Sequence, residues 1–210
     1  MSHRNEQQKP PGYRPVLGFA DTQAGIRLIK DEFQVRLAQA LDLRRVTSPL
    51  LVAAGTGLND DLTGVEQPIR FGLKGIPGVQ AEIVQSLAKW KRWKLGEYRI
   101  PYPEGIYTDM NALRPDEVLD NLHSVYVDQW DWEKVIARDE RNLEFLRSTV
   151  RTIYQVIRAT EQVVADHYPE IATILPQDIT FVHAEDLEQR YPDLTPAQRE
   201  DRICEERGAV

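Results

Sequence analysis

The chain has 210 residues, enough for one sizeable domain or two small ones with a proper core. Hydrophobic residues make up 41% and charged residues 28%, an ordinary globular balance, and a net charge of −7 argues against a large nucleic-acid footprint. One cysteine, Cys204, leaves no internal disulfide, and no run has signal-peptide or membrane-spanning character, so a reducing, cytoplasmic setting without membrane contact is expected.

Residues 1–18 are polar and Pro-rich and read as a flexible arm, leaving 19–210 as the folded part. A helix is predicted to begin near Asp21 or Thr22, either of which could cap it. Its apolar positions Ile26, Ile29, Phe33, Leu37 and Leu41 recur at steps of three and four, which predicts one buried stripe. "RVTSPLLVAA" (45–54) reads as a strand interrupted by Pro49, which has no N–H and so belongs at an edge or an interface. "GTGLNDDLTG" (55–64) is a loop by composition, and "QPIRFGLKGIPGVQAEIVQ" (67–85) reads as a hairpin about a Gly-Pro-Gly turn. Ser86 can cap the basic helix "LAKWKRWKL" (87–95). "GIYTDMNAL" (105–113) and "HSVYVDQWDWE" (123–133) are predicted strands joined by "RPDEVLDN", most simply antiparallel neighbours. Leu143, Leu146, Val150, Ile153, Ile157, Thr160 and Val164 step by threes and fours along a long amphipathic helix. "DITFVHA" (178–184) is predicted as a strand. "LTPAQREDRICEERG" (194–208) is predicted as a helix with a Thr195–Gln198 capping box, Pro196 in the first turn and Gly208 as C-cap. Cys204, on this helix, is expected to be a packing residue. The order of elements predicts an α+β fold built on a mostly antiparallel β-sheet flanked by helices.

Strand alternation puts Val125, Val127, Gln129, Asp131 and Glu133 on one face, and Tyr126, Asp128, Trp130 and Trp132 on the other. The first face begins apolar and ends in an amide and two carboxylates, the profile of a strand leaving a core for a polar pocket. A buried carboxylate is costly without compensation, so Asp131 calls for a cation or several donors; the alternative is the solvent end of an edge strand. Arg114 at the far end of the neighbouring strand suits forked recognition of carboxylate or phosphate. Lys89, Lys91, Arg92 and Lys94 sit on the basic helix, and Asp60 and Asp61 on the loop. Acids beside Arg and Lys, with a loop Asp for an ammonium group, suit an amino acid and a nucleotide phosphate together. The four His and one Cys show no metal-ligand spacing, and His123 and His183 flank predicted strands.

"SLAKWKR", "ALRPDE" and "HSVYVDQWDWE", with "FVHAEDLEQRYPDLTPAQRE" further on, resemble the ammonia-dependent aspartate–ammonia ligase (AsnA-type) family, with matching order and spacing from about residue 20 to 210. The resemblance implies a class II aminoacyl-tRNA synthetase-like core. It also implies a two-step reaction. Aspartate attacks the α-phosphate of ATP to give β-aspartyl-AMP and pyrophosphate, and ammonia then displaces AMP to give asparagine, with Mg²⁺ offsetting the phosphate charge. Position by position, Asp60 in "LNDDL" is similar to the family's loop aspartate near the amino-acid substrate, and Ser86 and Lys91 to its pair at the substrate carboxylate. Arg114 resembles the arginine that holds the α-phosphate. Gln129 and Asp131 resemble the residues that read the substrate amide and amino group. The long helix and the Pro49 strand resemble the class II dimer-forming element, so a homodimer is expected.

The chain departs from the family at Gln85, where the resemblance leads one to expect His, which unlike an amide can titrate near neutrality. Family chains also continue past "GAV" into strands with further substrate contacts and an ATP-holding Arg. The chain is therefore read as C-terminally truncated, with part of an active site and inactive alone. Two other readings remain at this stage. An aspartyl- or asparaginyl-tRNA synthetase core would bring a basic tRNA-binding appendage, against which the acidic balance counts. A non-catalytic paralogue would keep the fold as a binding or regulatory module, against which the retained Arg114, Gln129 and Asp131 count.

Overall fold

The computed structural model of the chain describes Pro10 and residues 12–210; the expected N-terminal arm over 1–18 lies in part outside the described residues. Among the described residues there are five helices and six strands. They gather into two compact units, one holding Leu41–Glu140 and the other Val16–Ala40 with Arg141–Val210.

In the first unit, β1 (Leu43–Arg45) and β2 (Leu51–Ala53) lie either side of Pro49. Where the sequence suggests one interrupted strand there are two, in different sheets, because a residue with no N–H and a fixed φ breaks the ladder at that point. Both lie at sheet edges, the place predicted for the Pro49 segment. The predicted hairpin is present as β3 (Arg70–Gly72) antiparallel to β4 (Gln80–Ile83), and β2 pairs with the other side of β4. Its turn is closed by Val79 N–H donating to the Ile76 carbonyl at 3.2 Å. Gly78 there has φ of 82°, the positive value needed after Pro77 in a type II turn.

β5 (Gly105–Leu113) is the centre of the other sheet, parallel to β1 and antiparallel to β6 (Tyr126–Lys134). Gly105 sits where both neighbours close in: a Cβ built there would come 2.5 Å from the Glu133 carbonyl oxygen and 2.6 Å from Leu43 Cδ2. The two sheets meet where Leu113 N–H donates to the Val84 carbonyl at 3.1 Å. α2 (Ala88–Glu97) follows β4. Val52, Val84, Leu87, Trp90, Met110 and Ala112 form the core between these elements, with Val46, Leu58 and Val127 packed on it.

The second unit is helical. α1 (Phe19–Leu41) starts before the predicted Asp21 or Thr22. The Thr22 hydroxyl donates back to the Gly18 carbonyl at 2.8 Å, an i−4 bond made from inside a helix, not a cap. Of the predicted stripe, Leu37 is buried, but Ile26 and Ile29 are 46% and 37% exposed. α3 (Leu143–His167) is capped by Asn142, whose side-chain oxygen accepts from Phe145 N–H at 2.9 Å. Its stripe is likewise half used: Thr160 and Val164 are buried, while Leu143, Leu146 and Ile157 are exposed.

The predicted strand over 178–184 is absent. Among the described residues it has no pairing strand; Thr180 N–H bonds the Ala209 carbonyl, and Arg147 and Arg151 both stack on the Phe181 ring. A short helix unforeseen in the sequence, α4 (Ala184–Arg190), follows. α5 (Pro196–Arg207) has the predicted Thr195–Gln198 capping box, Pro in its first turn and Gly208 at its C-cap with φ of 76°. Arg190 and Tyr191 both bond Glu206, which ties α4 to α5. Cys204 is exposed, contrary to the packing role expected, because α5 buries Ile203 and turns its neighbour outward.

Candidate active site

The β5–β6 register places Thr108 opposite Asp131, Met110 opposite Gln129 and Ala112 opposite Val127. Directly opposed residues of an antiparallel pair share a face, so the alternation read from the sequence holds. Its apolar end, Ala112 and Met110 with Val127, is the core, and its polar end carries Gln129, Asp131 and Glu133. Gln129 is held against the core, its Nε2 donating to Met110 Sδ at 3.5 Å.

α2 reaches this face. Trp90 anchors it in the core, and the next residue, Lys91, is 0% exposed with Nζ 2.5 Å from Asp131 Oδ2. An ammonium and a carboxylate are removed from water together, which costs several kcal/mol per ion before their attraction is counted. Burial pushes the Lys91 ammonium below the ordinary lysine range, while the facing Asp131 pulls the other way. Beyond this charge contact neither Lys91 Nζ nor Asp131 Oδ2 makes a well-directed hydrogen bond among the described residues. Next along β6, Glu133 faces Arg92 at 3.3 Å; burial holds its carboxyl above the usual range despite that partner.

A second group gathers at the ends of β4 and β5. Ser86 Oγ donates to Asp60 Oδ2 at 3.5 Å and accepts from Ala88 N–H at 3.3 Å, so it links the acidic loop to the first residue of α2. Leu87, not Ser86, is the helix's N-cap residue. Lys89 completes the loop's anchoring, 2.6 Å from Asp61 and 4.0 Å from Asp60. Arg114 Nε donates to the Gln85 carbonyl at 3.4 Å, next to Ser86 in the chain. The predicted residues thus fall into two groups by their contacts, Asp60, Ser86 and Arg114 in one and Lys91, Gln129 and Asp131 in the other, with α2 joining them and the Asp60 charge near enough to act on Lys91. Arg114 lies six residues from Thr108, Asp131's partner, roughly 20 Å along an extended strand.

Sequence reading missed Asn59. It is buried, its Nδ2 donates to the Ile83 carbonyl at 3.1 Å, and its Oδ1 accepts from Gln85 N–H at 2.9 Å. It therefore fixes the Asp60 loop to β4. Nothing local in "GTGLNDDLTG" separates that Asn from a turn residue, since its partners are more than twenty residues away. A cavity of about 350 Å³ lies beside this loop, lined by Asn59, Asp60, Asp61, Glu66, Arg70 and Glu82; of the predicted site residues only Asp60 lines it. His123 pairs with Asp120 in the exposed 114–125 loop, and His183 precedes α4 in the second unit.

The aspartate–ammonia ligase family model matches residues 20–210. Aspartate–ammonia ligase of Clostridium perfringens is 54% identical over 201 residues, covering 96% of this chain and 60% of that protein. The Bacteroides thetaiotaomicron enzyme of the same name is 52% identical over 202 residues, covering 96% and 59%. The chain thus spans about 60% of the length of the curated relatives it matches. In fold it resembles Entamoeba histolytica asparaginyl-tRNA synthetase in complex with asparaginyl-adenylate, with a TM-score of 0.54, 12% identity, and coverage of 82% of this chain and 36% of that one.

Proposed function

The chain belongs to the aspartate–ammonia ligase family, and from that premise we propose that it serves the ATP-dependent amidation of L-aspartate by ammonia to L-asparagine, through β-aspartyl-AMP with release of pyrophosphate and AMP. The observation that carries this reading is the Lys91–Asp131 pair. The two side chains hold the two charges an amino-acid zwitterion needs: Lys91 takes the α-carboxylate and Asp131 the ammonium. Without substrate they neutralise each other; bound aspartate divides the pair and supplies each charge with a new partner. Ser86 stands with Lys91 at the carboxylate, Asp60 near the amino-acid end, and Gln129 reads the side chain.

Arg114 is assigned to the α-phosphate. Transfer to phosphorus needs chiefly positioning and charge stabilisation, and a guanidinium fork supplies both as charge builds on the phosphate oxygens. The aspartate side-chain carboxylate attacks phosphorus and pyrophosphate departs; ammonia then attacks the acyl carbon and AMP departs. Mg²⁺ is proposed as a companion of the nucleotide phosphates. Among the described residues no cluster of three or more His, Cys, Asp or Glu side chains is placed to hold a metal by itself.

A homodimer is part of the proposal, supported by exposed Ile26 and Ile29 on α1, apolar surface that a second copy would cover; sedimentation as a monomer at micromolar concentration would contradict it. No described helix is long and apolar enough to cross a membrane. We place the reaction in the cytoplasm, to which the free, exposed Cys204 thiol is suited; recovery of the protein in an oxidising compartment on cell fractionation would contradict that placement. The function itself is tested by calorimetry with L-aspartate and with ATP on the parent and on Asp131→Asn. Aspartate affinity should collapse in the variant with ATP binding kept. Equal loss of both would mean that Asp131 serves folding.

A further inference from the structure

Gln85 lies two residues beyond β4 and is 1% exposed. Its backbone is fully used: the N–H donates to Asn59 Oδ1 at 2.9 Å, and the carbonyl accepts from Arg114 Nε at 3.4 Å. Its side chain is not. The carboxamide Nε2 is buried and has no hydrogen-bond partner among the described residues. Leaving a buried amide donor unmade is destabilising, whereas an apolar side chain of the same shape at that place would carry no such cost. Packing alone therefore gives no reason for a glutamine here.

The position supplies one. Gln85 sits between two groups with assigned work: its own carbonyl holds Arg114, the arm for the phosphate, and its chain neighbour Ser86 bonds Asp60 at the amino-acid end. The part of the substrate lying between a phosphate and an amino-acid end is the side-chain carboxylate that joins them. We infer that Gln85 is a substrate-contacting residue, its carboxamide N–H donating to an oxygen of the aspartate side-chain carboxylate. This rests on the ligase reading and deepens it, adding a neutral donor that the assigned charged residues do not provide. Because an amide does not titrate near neutrality, the contact holds at every pH at which the protein is folded.

The test uses Gln85→Met, which keeps the length of the side chain and removes the amide, and Gln85→Glu, which keeps the shape and sets a like charge against the ligand. Thermal unfolding without ligand is followed beside calorimetric titration with L-aspartate. Gln85→Met should unfold at the parental temperature or about 2–4 °C above it, and should bind aspartate about tenfold or more weakly, as expected for a lost hydrogen bond to a charged group. Gln85→Glu should bind more weakly still. Unchanged aspartate affinity in Gln85→Met overturns the inference. So does a marked fall in its unfolding temperature or a failure to fold, since either makes the amide a structural requirement. A parent protein that binds no aspartate shows a different pattern: the ligase reading fails first and takes this contact with it.

Discussion

Lys91→Met is the sharpest perturbation of the site. The substitution keeps the buried apolar stem and removes the ammonium, leaving Asp131, whose side chain is 18% exposed, without its facing cation. Removing one partner of a buried pair costs about 3–5 kcal/mol; the residual exposure of Asp131 puts the cost at the lower end, about 3 kcal/mol. At roughly 2–4 °C per kcal/mol for a chain of this size, the unfolding temperature should fall by about 6–12 °C. The double variant Lys91→Met/Asp131→Leu leaves no charge behind and should return to within about 1 kcal/mol of the parent, because an apolar pair avoids both desolvation costs. The four tryptophans, Trp90 of the core among them, make urea unfolding by fluorescence a direct assay. There is a pH signature as well. Lys91 titrates lower in the folded chain than its ordinary value of 10.5, so between the two values the unfolded state holds more protons and stability rises with pH. Lys91→Met should abolish that rise, and neither variant should bind aspartate. A single variant within about 0.5 kcal/mol of the parent that still binds aspartate would refute the reasoning about the pair.

Three further outcomes are expected. Arg114→Ala should lower aspartate-dependent ATP–pyrophosphate exchange by about 10²-fold or more with aspartate affinity unchanged; exchange at the parental rate would remove the arginine from the phosphate. Gly105→Ala should destabilise the protein by about 1–3 kcal/mol, since the added methyl meets the β6 backbone at Glu133 and Lys134 on one side and the Leu43 side chain on the other, and β5 cannot yield without disturbing β6; a neutral result in urea unfolding would show that the strands can separate. The Asp120 carboxylate holds the His123 imidazolium above its ordinary value of 6.5, and Asp120 itself is lowered to about 2. The loop's stabilisation by His123 is therefore fully present below pH 6.5 and lost as pH rises through the folded-state value, while that by Asp120 is lost as pH falls toward 2. An NMR titration of His123 should return to the ordinary value in Asp120→Asn, and no change between the two proteins would dissolve the pair.

Elements whose cause is local were legible in the sequence. The Thr195–Gln198 box, Pro196 and Gly208 write both ends of α5 into fifteen residues. The alternation in "HSVYVDQWDWE" named the face that the β5–β6 register confirms, and with it put Gln129 and Asp131 together. Features that depend on a distant partner were not legible. The periodicity of α1 and α3 records amphipathic helices but not what covers them, so Ile26, Ile29, Leu143 and Leu146 read as buried and are exposed. The apolar run over 178–184 has strand composition, but a strand needs a ladder, and Phe181 meets two arginines instead. Pro49 showed where a ladder would break but not that its two sides would enter different sheets. In the site, charge and spacing alone gave Lys91 as one of four basic residues on a helix, and only the family resemblance singled it out. Its burial against Asp131 came from α2 packing, which leaves Arg92 to Glu133. Asn59 and the unpartnered amide of Gln85 were invisible for the same reason, since their roles lie in bonds that span more than twenty residues or in a bond not made.

The most direct measurement is calorimetric titration of the folded protein with L-aspartate, run beside D-aspartate and succinate, which keep two carboxylates but respectively invert or lack the ammonium centre. If Lys91 and Asp131 are divided by a zwitterion, L-aspartate binds one per chain, succinate fails for want of the ammonium that Asp131 requires, and Asp131→Asn abolishes the L-aspartate signal. Succinate binding as tightly as L-aspartate, or an Asp131→Asn protein that binds as the parent does, would contradict the site proposed here.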